Sequence, residues 1–325
     1  MWIGLLLSGF FTFVELNCEN LFDCMHDSLK HDEEFLPDGS HHWTTQRYWR
    51  KLNALGQEII ACGSLAPDTF IMSGPWKRDW QLPALVGLCE VENDSCVYAL
   101  TQRSLLRNAA YQYVMTHSPD QRGIDVALLY SPYSFWLLGS HSYRVPLMGD
   151  MRPTRDILYA YGEVAGGDTL HVFVVHAPSR SGSAGATERY RLRVADRVCM
   201  VIDSIRVKQP QAKIIVAGDM NAYTNEKSIR RYMQEGMVDV SAGAVGNHGA
   251  KGTYRYQGEW GSLDHILVSE SLIPHFQRCY IFDAPFLLEE DERYGGVKPF
   301  RTYLGPKYKG GFSDHLPLVA RFQFE

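Results

Sequence analysis

The chain has 325 residues, of which 45% are hydrophobic, 12% aromatic and 21% charged, and its formal net charge is -5. This composition excludes a disordered chain and leaves room for a large core in one large or two ordinary domains. It also lacks the global basic character that drives tight non-specific binding to duplex nucleic acid.

The opening stretch "WIGLLLSGFF" (2–11) is apolar like a signal-peptide core, but no Lys or Arg precedes it. It runs straight into "FTFVELN" (11–17), a strand pattern, and Glu15 and Asn17 interrupt it. That break comes before the roughly 18 apolar residues expected of a membrane-crossing helix. The reading favours the cytoplasm, with export if residues 1–9 are the remnant of a leader.

Strands are expected at 11–17, 84–91, 124–130, 156–164, 169–175, 213–217, 263–268 and 316–324. Each is a short apolar or β-branched run bounded by Gly, Pro, Asn or Asp. A helix is expected over 44–62, with Thr44 or Thr45 as cap and Tyr48, Leu52, Leu55 and Ile59 on one face. A shorter helix follows Asp94, and another spans 187–207, where Val194, Val198, Val201 and Ile205 share a face. Segment 64–83 is the least regular and reads as a surface loop. The basic clusters 47–51 and 189–197 read as solvated helix faces. Seven cysteines without a C-x-x-C pair, most inside apolar runs, read as buried free thiols.

Helices alternate irregularly with strands, no linker divides the chain, and the joints around 124–175 are short. That disfavours a uniform parallel βαβ sheet. The expected class is α/β (α+β), with two mainly antiparallel sheets packed face to face and helices outside, in one domain over 1–325.

Polar residues gather at the strand ends. Asn17 and Glu19 follow the first strand, Glu90 the second, His176 the fifth, and Asp219 and Asn221 the sixth. Asp264 begins the seventh, and Asp314 and His315 precede the last. Taken singly, each also reads as a turn former, a cap or a satisfied rim histidine. Taken together, the hard oxygen donors of Asn17, Glu90 and Asp314 suit Mg²⁺ better than a closed zinc site.

Seven motifs occur in order: "NCENLFD" (17–23), "LVGLCEVEN" (85–93), "RGIDVALLY" (122–130), "VVHAPSRSG" (174–182), "VAGDMNAY" (216–223), "GSLDHILVS" (261–269) and "FSDHLPLVARF" (312–322). Together they resemble the endonuclease/exonuclease/phosphatase family, whose superfamily includes deoxyribonuclease I, over residues 11–324. The resemblance implies a four-layer sandwich and Mg²⁺-dependent (or Mn²⁺-dependent) hydrolysis of a phosphoester by water. It implies Glu90 as the main metal carboxylate, with Asn17 beside it and Asp314 as a further ligand. Asp219 would activate the water, Asn221 would hold a phosphate oxygen, and Asp264 would orient His315 on the phosphate. His176 would stand on the leaving-group side, supported by Asp125 if their strands pair. Arg152 in "MRPTRD", Arg180 and Tyr254 in "GTYRYQG" would lie on the substrate side.

The segment "EEFLPDGSHHWTTQRYWRKL" (33–52) departs from the general family pattern and reads first as a surface loop, with His41, His42 and Trp43 as pocket alternatives. The expected partner is a phosphate-ester substrate, nucleic acid included, with no obligate protein partner and a monomeric chain. A phosphodiesterase of nuclease type is favoured over a phospholipase C or sphingomyelinase type and over a small-phosphomonoester phosphatase. For a lipid enzyme, 72–80 and 281–288 are the only apolar tips. A calcineurin-like phosphoesterase would need D-x-H and G-H-x-H motifs, which the sequence lacks. A non-catalytic binding module would be expected to have lost at least one of the strand-end residues.

Overall fold

The computed structural model describes residues 9–64, 80–147, 149, 151–180 and 184–324. The expectations for the leader remnant 1–9, all but residue 9, and for most of segments 64–83 and 72–80 lie outside these. In chain order the first half holds β1 (Gly9–Leu21), α1 (Thr45–Ala61), β2 (Leu85–Val91), α2 (Asp94–Gln102), β3 (Gln112–Met115), β4 (Asp125–Tyr130), β5 (Trp136–Tyr143) and β6 (Ile157–Glu163). Next come β7 (Thr169–His176), α3 (Ala184–Lys208), β8 (Lys213–Asp219), α4 (Lys227–Gln234), β9 (Met237–Asp239), β10 (Tyr254–Tyr256), β11 (Glu259–Gly261) and β12 (Asp264–Ser269). The chain finishes with β13 (Phe276–Ile281), β14 (Leu288–Glu290), β15 (Val297–Pro299), β16 (Tyr303–Leu304), β17 (Lys307–Tyr308) and β18 (Leu318–Phe324).

Two six-stranded sheets form, ordered β13-β18-β1-β2-β4-β3 and β5-β6-β7-β8-β12-β9. Each is antiparallel except for one central parallel pair, β1 with β2 and β7 with β8. A parallel pair needs a crossover connection, and α1 and α3 lie in those two crossovers.

Three apolar clusters fill the three spaces between four layers. Phe11, Phe13, Leu85, Val126, Val174, Ala217, Ile266 and Leu318 belong to the cluster between the sheets. Val14, Leu16, Val86 and Leu129 pack instead against Leu52, Leu55 and Ile59 of α1. Phe173, Val175, Val216 and Leu267 pack against Val194 and Val198 of α3. Side chains alternate across a strand, so the central strands need apolar residues on both faces and read as continuous runs. Thr44 caps α1 by accepting from Arg47 N, and Asn93 caps α2 by accepting from Cys96 N at 3.0 Å.

Two basic clusters are less solvated than their composition suggests. Lys51 and Arg191 are each only 1% exposed. Lys51 donates to Thr302 Oγ1 at 2.6 Å and to the Phe312 carbonyl. All seven cysteines are free, and five are buried. Among the described residues no helix is long and apolar enough to cross a membrane.

Candidate active site

The strand parity that builds the inter-sheet core also aims the polar residues. Asn17 follows Phe11 and Phe13 on the same face of β1, and His176 follows Val172 and Val174 on β7. Asp219 follows Ile215 and Ala217 on β8, and Asp264 precedes Ile266 and Val268 on β12. The candidate site is therefore the polar rim of the inter-sheet core. Register places Asp219 beside His176 in the parallel pair and opposite Asp264 in the antiparallel one. Asn17 Nδ2 donates to Asp219 Oδ2 at 3.1 Å and joins the two sheets.

Backbone conformation supplies the rest. Glu19, Asn20, Glu90 and Asn221 all have positive φ, of 47°, 60°, 61° and 48°. Left-handed non-glycine residues carry strain of order 1–3 kcal/mol each and tend to collect at functional sites. The β1–β2 and β2–β4 registers break between Asn17 and Leu21 and between Cys89 and Val91. Bulges of this kind re-aim a side chain. Glu90 Oε2 accepts from Asn20 N at 3.0 Å, while its Oε1 lies 3.9 Å from His176 Nε2.

The two histidines are tuned in opposite directions. Burial works against a charge on His315, but the Asp264 carboxylate, hydrogen-bonded to Nδ1 at 2.7 Å, and the charges of Asp219 and Asp314 outweigh it. They hold His315 well above the ordinary imidazole range. The Thr253 hydroxyl donates to the same Asp264 oxygen. Burial, then the charges of Arg155, Arg122 and His315, push His176 well below that range. Asp219 is pushed up to about 7 by burial and by the Asp264 charge, against the pull of His315 and the Asn221 N–H. Next to this group, Glu15 is 1% exposed and neither carboxyl oxygen has a partner. Burial, and then Asp264 and Asp219, raise it well above the carboxylate range.

A second ring surrounds Asp314. Arg301 donates to Asp314 Oδ2 at 2.8 Å and to Glu19 Oε1 at 3.2 Å. Glu19 also accepts from the Thr302 and Tyr303 N–H groups and so pins that loop to β1. A cleft of about 250 Å³ is lined by Glu19, Asn20, Glu90, Arg301, Asp314 and His315, with Glu34, Phe35, His41 and Tyr303 forming a further wall. The 33–52 segment is thus part of the site's surroundings. His41 stacks on Phe35 with centroids 4.9 Å apart and meets Tyr303 edge-on at 4.5 Å. Trp43, 1% exposed, is core rather than pocket and donates to the Phe22 carbonyl at 2.9 Å. His42 is exposed.

Some expected neighbours lie elsewhere. Asp125 does not support His176, because β4 and β7 belong to different sheets. Its Oδ1 accepts from Thr116 Oγ1 at 2.5 Å and from Ser118 N at 2.9 Å, and His176 Nδ1 has no hydrogen-bond partner. Arg152 is exposed and lines a different cleft. Arg180 pairs with Glu226, which it shares with Arg191, and stacks over Tyr223 at 4.7 Å. Tyr254 does sit at the site, bridged to His315 through the backbone, with ring centroids 4.9 Å apart. Sequence reasoning passed over Arg301, whose loop has no periodic signal, and Arg155, three residues beyond Arg152 in the same motif. Arg155 donates to the Ala177 carbonyl at 2.8 Å, next to His176.

Among the described residues, two groups of donors are close enough to hold a metal ion, Asp219–Asp264–His315 and Asp23–Glu92–Cys96. In the first, His315 is already hydrogen-bonded to Asp264. Glu90 and Asp314 belong to neither group. Each nonetheless keeps one carboxyl oxygen free of hydrogen bonds among the described residues, Oε1 and Oδ1, and both line the same cleft. Such hard, incompletely used oxygens fit a divalent cation that retains waters.

Residues 12–323 match the sequence profile of the Endonuclease/Exonuclease/phosphatase family. No curated protein matches the chain. Among solved structures, an endonuclease/exonuclease/phosphatase family protein from Bacteroides thetaiotaomicron superposes with a TM-score of 0.63 at 14% identity, covering 98% of this chain and 99% of that one. A mannosyl-6-phosphatase from the same species gives 0.63 at 14% identity, with 97% and 100% covered. The human Nocturnin catalytic domain gives 0.50 at 20% identity, with 75% and 82% covered. At these identities the likeness concerns the fold.

Proposed function

Since the chain belongs to the endonuclease/exonuclease/phosphatase family, a metal-dependent phosphoesterase in general terms, we propose that it hydrolyses a phosphodiester with an activated water. The observation that carries this reading is the convergence of His176, Asp219 and Asp264, from adjacent strands of one sheet, with His315, from the segment leading into β18 of the other, and the two imidazoles are driven apart in pKa. Groups pushed apart in this way can serve one phosphate in two protonation states, a charged donor on one side and a neutral donor on the other.

A divalent cation, Mg²⁺ or Mn²⁺, held by Asn17, Glu90 and Asp314 would neutralise the phosphate and stabilise charge on the departing oxygen. Asp219, held by Asn17 Nδ2 and Asn221 N, takes a proton from the attacking water. The water oxygen bonds to phosphorus, and the bond to the leaving oxygen breaks. His315, charged and fixed by Asp264, donates from Nε2 to a non-bridging oxygen. Asn221 holds a second oxygen through its amide, which now donates to the Ala177 carbonyl at 3.1 Å. His176, neutral, donates on the leaving-group side.

One observation favours a second reading. The wall of Phe35, His41 and Tyr303 closes one side of the cleft, which suits a small phosphomonoester better than a broad duplex. The solved mannosyl-6-phosphatase of similar fold makes a sugar phosphate a reasonable member of the screen. The test is a Mg²⁺-dependent hydrolysis screen across bis(p-nitrophenyl) phosphate, DNA, RNA, sphingomyelin, and sugar, inositol and nucleotide phosphates. Turnover of diesters supports the first reading. Turnover of monoesters alone replaces it with the second, and no metal-dependent turnover of any member removes both.

A further inference from the structure

A larger cleft, of about 400 Å³, opens beside the candidate active site and shares no lining residue with the cleft around Glu90 and Asp314. Arg122, Arg152, Arg155, Thr154, Ser179 and Thr187 line it, and among the described residues Asp120 is its only acidic one. That one carboxylate faces Arg155, with Nη1 to Oδ2 at 3.4 Å. Arg152 is exposed and makes no ion pair or hydrogen bond among the described residues. Thr154 Oγ1 and Arg155 Nε are buried without a hydrogen-bond partner, an arrangement folded proteins rarely leave unexplained.

A hydrogen bond joins the walls of the two clefts. Arg122 lines the larger one, and its Nη2 donates at 2.6 Å to Asn20 Oδ1, which lines the smaller one. Arg155 reaches the Ala177 carbonyl, the same oxygen that holds the Asn221 amide. A net excess of guanidinium groups in a cleft, with hydroxyls between them, is the chemistry that recognises phosphate. We propose that this cleft binds a second phosphate group of the substrate, on the side of His176 away from Asp314. The inference rests on the phosphoesterase reading and narrows it to substrates with two phosphates a short distance apart. A small bis-phosphorylated molecule and a short nucleic acid both supply that chemistry.

The test measures dissociation constants by calorimetry on the full chain with Mg²⁺ present. One pair of probes is adenosine 3′,5′-bisphosphate against adenosine 5′-monophosphate. The other is a 5′-phosphorylated thymidine dinucleotide against the unphosphorylated dinucleotide. A charge-assisted contact predicts about tenfold or tighter binding for the two-phosphate member of at least one pair, and the pair that responds identifies the source. Arg152→Ala, at an exposed position, is expected to erase that preference, and Arg152→Lys to keep part of it. Equal binding within both pairs would overturn the proposal, as would a preference that survives in both Arg152→Ala and Arg122→Ala. Hydrolysis of bis(p-nitrophenyl) phosphate is followed in parallel. A binding preference without hydrolysis leaves the cleft and sinks the reaction, while hydrolysis without a preference does the reverse.

Discussion

His315 and His176 illustrate how one rim makes two different bases from one side-chain type. Both are nearly fully buried, at 7% and 3% exposed, yet a carboxylate hydrogen-bonds His315 at 2.7 Å, while carboxylate oxygens come no nearer than 3.7 Å to His176 and the Arg155 and Arg122 charges oppose its protonation. Replacing Asp264 by Asn removes the largest charge that holds His315 up, leaving burial opposed only by the Asp219 and Asp314 charges. NMR titration should therefore show His315 protonated well above neutral pH in the wild type and losing its proton at lower pH in Asp264→Asn; an unchanged titration would contradict the pairing. His315→Ala should lower kcat by about 10²–10⁴-fold, the usual span for a positioned proton donor or acceptor, with the far-UV spectrum unaltered. The sequence made Asn17, Glu90, His176, Asp219, Asp264, Asp314 and His315 legible because each is a polar residue ending an otherwise apolar run. It did not reveal Arg301, Arg155 or Lys51, because a loop arginine or a helical lysine looks the same whether it is buried or solvated. Asp125 was misread for a related reason: a strand pattern does not say which sheet the strand joins.

The helices carry two further consequences. Glu58 on α1 is 1% exposed, with no partner for either oxygen. Burial raises it from its ordinary 4.5 to about 8, with only the Lys51 charge opposing. A carboxyl whose folded pKa is raised stabilises fully below the unfolded value and loses that contribution as pH rises through the folded one. Thermal stability should fall between about pH 5 and pH 9 by an amount on the order of a few kcal/mol, and Glu58→Gln should flatten the slope; an identical slope in the variant would rule Glu58 out. Trp43 fixes the 33–52 segment to the first sheet through the Phe22 carbonyl. Trp43→Ala should destabilise by roughly 3–5 kcal/mol in denaturant titration, and a loss below about 1 kcal/mol would return the segment to a surface loop. All eight strands expected from the sequence are present, and the four large-sheet strands it missed, β3, β5, β9 and β13, are the four sheet edges. An edge strand lacks neighbours on one side, as the mostly exposed or half-exposed β5 shows, so it carries no continuous apolar run to read. The helices over 44–62 and 187–207 and after Asp94 were legible from their periodicity, whereas α4, with eight residues, is too short for that signal.

Taken as a whole, two sheets enclose an apolar slab with a polar rim, built where β1, β7, β8 and β12 carry Asn17, His176, Asp219 and Asp264. Asn17 brings one sheet's amide to the other sheet's Asp219, so the site exists only when the sheets are packed. Hydrolysis should vanish with EDTA and return with Mg²⁺ or Mn²⁺, with circular dichroism unchanged, because the core does not depend on the ion. The most direct test compares Mg²⁺-dependent hydrolysis of bis(p-nitrophenyl) phosphate by the wild type and by Asp219→Asn, with matched thermal melts. The account predicts measurable turnover in the wild type and a loss of at least about 10²-fold in the variant. Undiminished turnover in a folded Asp219→Asn protein would contradict it.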